Sequence, residues 1–167
     1  NFRSEIGVLF LNGYNRDVLT KMFDDNRLTY TSLFKARPHI FVSKSNPLAK
    51  HKVVSLEDLE DFPYLSYDQG IHNSFYYSEE ILSQIPHKKS IVVSDRATLF
   101  NLLIGLDGYT IATGILNSNL NGDNIVSIPL DIDDEIDIVY LKHEKATLSK
   151  MGEKFLDNLV KEVTFDN

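Results

Sequence analysis

Short apolar runs alternate along the chain with longer stretches in which apolar residues recur every three or four positions. The first run, Glu5-Ile6-Gly7-Val8-Leu9-Phe10-Leu11, is too short for a helix and predicts a strand buried on both faces. Asn12-Gly13 breaks it. Asn15 is then placed to cap a helix over 16–23, with Val18, Leu19, Met22 and Phe23 on one face, and Asp24-Asp25-Asn26 ends it. A second strand follows over 28–34. The aromatic and β-branched run from His39 to Val42 predicts a third, stopped by the turn formers Ser43, Ser45 and Asn46 and by Pro47. Ser55 with Asp58 three positions on reads as a short capping box.

The second half repeats this grammar. A strand over 64–67 runs into Asp68-Gln69-Gly70, and Asn73 or Ser74 starts a helix that reaches Leu82 and stops before Pro86. Strand 89–93, a Ser94-Asp95 cap and an apolar-faced helix over 97–106 follow, with Asp107-Gly108 supplying the C′ glycine. Then come a strand over 109–113, a short helical segment opened by Thr113-Gly114, strand 125–130, an acidic loop over 131–135 and strand 136–141. Ser149 caps a terminal helix with Met151, Phe155, Leu156, Leu159 and Val163 along one stripe. Strand and helix in alternation predict parallel α/β layers. The strand pairs around 28–42 and 125–141 suggest two lobes joined by two crossovers.

Composition narrows the function. At 167 residues with 43% hydrophobic content, the chain is sized for one domain or two small lobes with a real core. It has no cysteine, which excludes disulfides, thiolate chemistry and cysteine-based metal sites. No apolar run approaches the ~18 residues of a membrane span, and Asn1-Phe2-Arg3-Ser4-Glu5 does not read as a signal peptide. A net charge of -7, from 17 basic and 24 acidic residues, argues against a phosphate-gripping surface. Three lysines and a histidine between Lys44 and Lys52 read as a solvated linker.

Catalytic signals are absent. His39, His51, His72, His87 and His143 are scattered without metal-ligand spacing, and no nucleophile elbow, P-loop or dinucleotide fingerprint occurs. The acid pairs Glu57/Asp58, Glu79/Glu80 and Asp133/Asp134 read as solvated faces. Binding chemistry has two candidate stretches. Ser66-Tyr67-Asp68-Gln69-Gly70 gathers hydroxyl, phenol, carboxylate and amide on one loop after a buried strand, where open α/β sheets place ligand contacts. Val93-Ser94-Asp95-Arg96-Ala97-Thr98 puts donors and free N–H groups at a helix start, suited to an anion. An ordinary surface turn and an ordinary N-cap account for the same residues, and Ser43 at its strand end is equally ambiguous.

Two segments carry a family resemblance: Ser45-Asn46-Pro47-Leu48-Ala49, and Ser55-Leu56-Glu57-Asp58-Leu59 with Phe62-Pro63-Tyr64-Leu65. They resemble the turn and following segment of the effector-binding domain of LysR-type bacterial transcription regulators, with Asn46 where the family usually has His. Asp107-Gly108-Tyr109-Thr110-Ile111-Ala112-Thr113 resembles the family's glycine element, with Asp107 at its first glycine and no terminal proline. The resemblance implies a two-lobe, type II periplasmic-binding-protein-like α/β fold. Lobe one would be 1–42 and 132–167, incomplete, and lobe two 43–131. It places the effector between the lobes, in contact with Ser43, with Tyr67, Asp68, Gln69 and Gly70, with Ser94, Asp95 and Thr98, and with Thr113. The implied protein is cytoplasmic and homo-oligomeric, binds a small anionic metabolite, uses no cofactor and no membrane, and reaches DNA only through an N-terminal domain absent here. The family's helix-turn-helix and the first strand-helix-strand unit of lobe one have no counterpart, so a truncated or cleaved piece is expected. The alternatives are a solute-binding receptor of a transport system, and an enzyme on the same architecture.

Overall fold

The computed structural model describes residues 4–68, 70, 76, 78, 80–116 and 122–163, with the backbone of 164 and 165. Eight strands run in chain order: β1 Gly7–Leu11, β2 Leu28–Ala36, β3 His39–Ser43, β4 Tyr64–Tyr67, β5 Ser90–Val93, β6 Tyr109–Ala112, β7 Ile125–Pro129 and β8 Ile136–His143. Among the described residues three α-helices accompany them: α1 Arg16–Asp25, α2 Arg96–Gly105 and α3 Lys150–Phe165. The chain divides into two compact units, Asn1–Ala36 with Glu135–Asn167, and Arg37–Asp134. The first crossover is abrupt because β2 continues to Ala36 in one sheet while β3 starts at His39 in the other.

Unit one holds a three-stranded sheet of order β1-β8-β2, antiparallel throughout. Its core joins Leu11, Leu19, Phe23, Val139 and Leu141, so α1 is buried through Leu19 and Phe23 while Val18 stays exposed. Two expectations fail here. The first run is not buried on both faces, because β1 is an edge strand with exposed Gly7 and Val8. Nor does Asn15 cap α1. Its carboxamide instead accepts from the Asn12 amide and donates to Phe10, closing the loop before the helix. Ser149 does cap α3, accepting from Gly152 N–H, while Glu5 accepts from both the amide and the hydroxyl of Ser149. The inward face of α3 is Gly152, Leu156 and Val163; Met151 is 76% exposed and Phe155 50%.

Unit two holds a five-stranded sheet of order β5-β4-β6-β3-β7. Among the described residues, β5, β4 and β6 pair in parallel, Val54 makes an isolated parallel bridge to Leu130, and β3 runs antiparallel to both β6 and β7. An all-parallel layer therefore does not form: β3 enters from the first crossover and β7 leads into the second, and both run antiparallel to their neighbours. Helix α2 packs on one face, where Leu99 and Leu103 meet Phe41, Leu65, Val93 and Ile125.

The turns follow their sequence signals closely. Pro47–Lys50 is a 3₁₀ turn, and the buried Asn46 accepts the Leu48 N–H while donating to the carbonyl of Asp107 at 2.7 Å. Ser55 and Asp58 form the reciprocal box, which holds the Asp58 carboxyl below its usual range through the Ser55 N–H and then the Ser55 hydroxyl. The end of α2 differs from expectation. The left-handed residue there is Asp107, at φ 52°, not Gly108. Gly108 is needed for another reason: a Cβ on it would stand 3.0 Å from Leu65 and 3.1 Å from the Pro63 carbonyl. Most of the helix expected to start at Asn73 or Ser74 lies outside the described residues. Its last part, 81–84, is a turn with Leu82 at φ 60°.

Candidate functional site

In unit two, the C-terminal ends of β4 and β6 and the first turns of α2 surround a cavity of about 240 Å³. This is where parallel strands followed by helices leave room for a ligand. Phe41, Ile81, Leu99 and Phe100 give it apolar walls, and Tyr67, Thr110 and Thr113 add hydroxyl-bearing side chains. Among the described residues its charged lining side chains are Glu80 and Arg96, one of each sign. The Arg96 guanidinium carbon sits 4.6 Å from the centre of the Phe100 ring, a cation–π contact that orients an otherwise exposed side chain. Glu80 is only 9% exposed and accepts the backbone N–H of Tyr67, which pins the segment bearing it to the end of β4.

The residues singled out from sequence divide into three groups. Tyr67 and Thr113 line the cavity together. Ser43, Asp68, Gly70, Asp95 and Thr98 are engaged in local structure. The Ser43 hydroxyl is buried and paired with Ser45 at 2.8 Å, and its carbonyl accepts the Asn46 N–H. Asp68 donates its amide to Val93 and accepts the N–H of Gly70, whose φ of 60° completes the turn. Asp95 accepts both the amide and the hydroxyl of Thr98, which keeps the Asp95 carboxyl below its usual range. One N–H of the α2 start that sequence offered to an anion is therefore taken by a carboxylate of the chain itself. Ser94 is exposed beside this cap. Gln69 lies outside the described residues.

Glu80 and Arg96 were missed as site residues. Arg96 had a signal, since it is the first residue of α2 and directly follows the cap. Glu80 had none: sequence reading placed it on a solvated face beside Glu79, and only packing buries it. Unit one contains another buried carboxylate, Asp137, but Ser32 donates to it at 2.5 Å and Arg16 at 3.4 Å, so it acts as an internal brace between strands and helix. Among the described residues no group of three or more His, Asp or Glu side chains is arranged to hold a metal ion. No helix among them is long and apolar enough to cross a membrane.

No curated protein sequence matches this chain. Solved structures do. HinK, a LysR family transcriptional regulator from Pseudomonas aeruginosa, is similar with a TM-score of 0.63 at 16% identity, over 96% of this chain and 53% of that one. The effector-binding domain of QuiR, solved in complex with shikimate, is similar at 0.60 and 17% identity, over 96% and 72%. The regulatory domain of MetR, a LysR family regulator from N. meningitidis, is similar at 0.61 and 12% identity, over 98% and 71%. At these identities the likeness is one of fold, and the chain spans about half the length of HinK. The sequence itself matches the family model described as the LysR substrate binding domain over residues 11–164. With nearly its whole length inside that match and a periplasmic-binding-protein-like α/β fold to go with it, the chain belongs to the LysR substrate-binding domain family.

Proposed function

We propose that this chain is the effector-sensing portion of a cytoplasmic LysR-type transcription regulator, binding a small metabolite that carries an anionic group in the cleft between its lobes. The observation that carries the reading is the cavity at the ends of β4 and β6, with Arg96 on its lining and the hydroxyl-bearing Tyr67 and Thr113 beside it. Arg96 would hold the anionic group, and Ser94, Asp68 and Gly70 would add polar contacts from the neighbouring turns. The family match and the QuiR–shikimate complex support a small-molecule ligand for this kind of domain.

The mechanism is binding without catalysis. An effector that binds the closed arrangement of lobes more tightly than the open one biases that equilibrium, by no more than its differential affinity. In the whole protein, as a homo-oligomer, that bias would reach DNA through a separate domain.

Two measurements test this reading. The coding sequence upstream of Asn1 should encode a helix-turn-helix; a secretion signal there would replace the regulator with a transport receptor. Isothermal titration of the chain against anionic metabolites should give a ligand whose affinity falls at least tenfold, about 1.4 kcal/mol, in Arg96→Gln. Undiminished binding by that variant would move the site elsewhere.

A further inference from the structure

One wall of the cavity beside α2 belongs to a segment, 80–88, that is fastened at both ends. At its start Glu80 accepts the Tyr67 N–H, and Glu80 and Ile81 line the cavity. At its end His87 sits against two tyrosines of the sheet. The imidazole stacks on Tyr64 with ring centres 3.8 Å apart, and its Nδ1 lies 2.8 Å from the Tyr109 hydroxyl. Between the ends is a turn over 81–84, in which the Ile85 N–H donates to the Leu82 carbonyl. Leu82 stands there at φ 60°, a strained conformation for a leucine that persists only where the surroundings hold it. The Lys88–Glu60 ion pair next to His87 is exposed on both sides and adds little hold.

The fastening at His87 suits a neutral imidazole and no other form. The Tyr109 hydroxyl can pair with Nδ1 as donor or acceptor, but Nε2 is buried without a hydrogen-bond partner. Protonation commits both ring nitrogens to donate, which leaves a charged Nε2–H buried with no acceptor. Other charged groups do not reverse this. Glu57, Glu60 and Lys88 share a small recess with His87, but all three are exposed and Glu60 is taken by Lys88; Glu80 acts on the neighbouring Tyr64. Burial prevails and holds the imidazole below its ordinary pKa of 6.5.

We propose that His87 is a proton-operated latch: neutral, it pins segment 80–88 to β4 and β6, and protonated, it frees that segment and the Glu80–Ile81 wall of the cavity. The latch holds whatever the cavity binds. The sign follows from linkage. Released, the imidazole titrates at its ordinary 6.5; latched, it titrates lower, so release is favoured as the pH falls through 6.5.

Hydrogen exchange of the 167-residue chain, read amide by amide by NMR and corrected for the intrinsic rate at each pH, tests this. Between pH 7.5 and pH 5.5 the Ile85 and Tyr67 amides should lose up to about tenfold in protection, the most that one proton on a group of ordinary pKa 6.5 can drive. The Leu130 amide, which donates to Pro38 elsewhere in the same unit, should keep its protection. The His87 ring resonances should titrate together with the loss, below pH 6.5. In His87→Phe, which keeps a ring on Tyr64, the loss should vanish. Protection of Ile85 and Tyr67 that ignores pH would overturn the latch. So would a loss shared equally by Leu130, because His87 would then report unfolding of the whole unit. A loss that persists in His87→Phe assigns it to another group and also overturns the proposal. Should that variant not fold, the ring titration decides: His87 titrating at 6.5 in the parent, or out of step with the Ile85 amide, overturns it.

Discussion

The two ends of the strands β4 and β6 have opposite chemistry. At their C-terminal ends Tyr67 and Thr113 open onto a cavity with a carboxylate and a guanidinium on its lining. At their N-terminal ends Tyr64 and Tyr109 close on His87, whose ring stacks on Tyr64 at 3.8 Å and 18° and whose Nδ1 lies 2.8 Å from the Tyr109 hydroxyl. Nothing in that cluster is charged at neutral pH. Burial pushes the Tyr109 phenol up to about 12 and the Tyr64 phenol higher still, Tyr64 also feeling the negative charge of Glu80 and then Tyr109; burial pushes His87 down. The difference is one of polarity: charged side chains line the cavity at one end, and stacked neutral rings fill the other. Helix α2 begins at Arg96 beside the C-terminal end, while Tyr64, His87 and Tyr109 pack ring against ring at the opposite end.

The comparison breaks most visibly at the sealed end. Tyr64→Ala removes a side chain that is only 4% exposed and is expected to cost about 3 kcal/mol or more, read as a lower urea midpoint. An unchanged midpoint would mean that the aromatic seal contributes nothing. Asn46→Ala comes next, because Asn46 joins the Pro47 turn to the Asp107 carbonyl just before β6. Leaving the buried Leu48 N–H and the Asp107 carbonyl without this partner should cost about 2 kcal/mol in the same assay. Arg96→Gln is the counterpart at the open end: stability within about 1 kcal/mol of the parent, with the tenfold loss of ligand affinity already described. A large fall in stability there would erase the distinction between the two ends.

The smallest effect is the pH dependence of the seal. His87 has a folded-state pKa below its ordinary 6.5, so between those two values the unfolded chain binds more protons than the folded one. The contribution of the cluster is thus complete above pH 6.5 and is lost as the pH falls toward the lower, folded-state value. His87→Phe keeps an aromatic ring for Tyr64 and removes the titration. Its melting temperature should fall less than the parent's between pH 7.5 and pH 5.5, and equal slopes would dismiss His87 as the titrating group.

Recognition of the family came from two short segments, and the structure shows why they were readable. The Pro47 turn, the Ser55–Asp58 box, the Asp95 cap and the Ser149 cap are each built from residues within a few positions of one another. Asp107 shows the limit of that legibility. The glycine beside it looked like the left-handed residue, but Asn46, 61 positions away, holds the Asp107 carbonyl, and Gly108 is reserved for contact with Leu65 and Pro63.

By itself the sequence determined the type and order of most elements, the turn chemistry between them and the family, because periodicity and capping act over three or four residues. Only the tertiary structure decided that β1 is an edge, that β3 and β7 pair antiparallel, and that α3 turns Leu156 inward and Met151 outward. It also decided that Glu80 lines the cavity. Those outcomes depend on partners such as Ser32 with Asp137, 105 positions apart, and burial at such distances leaves no local mark on the chain.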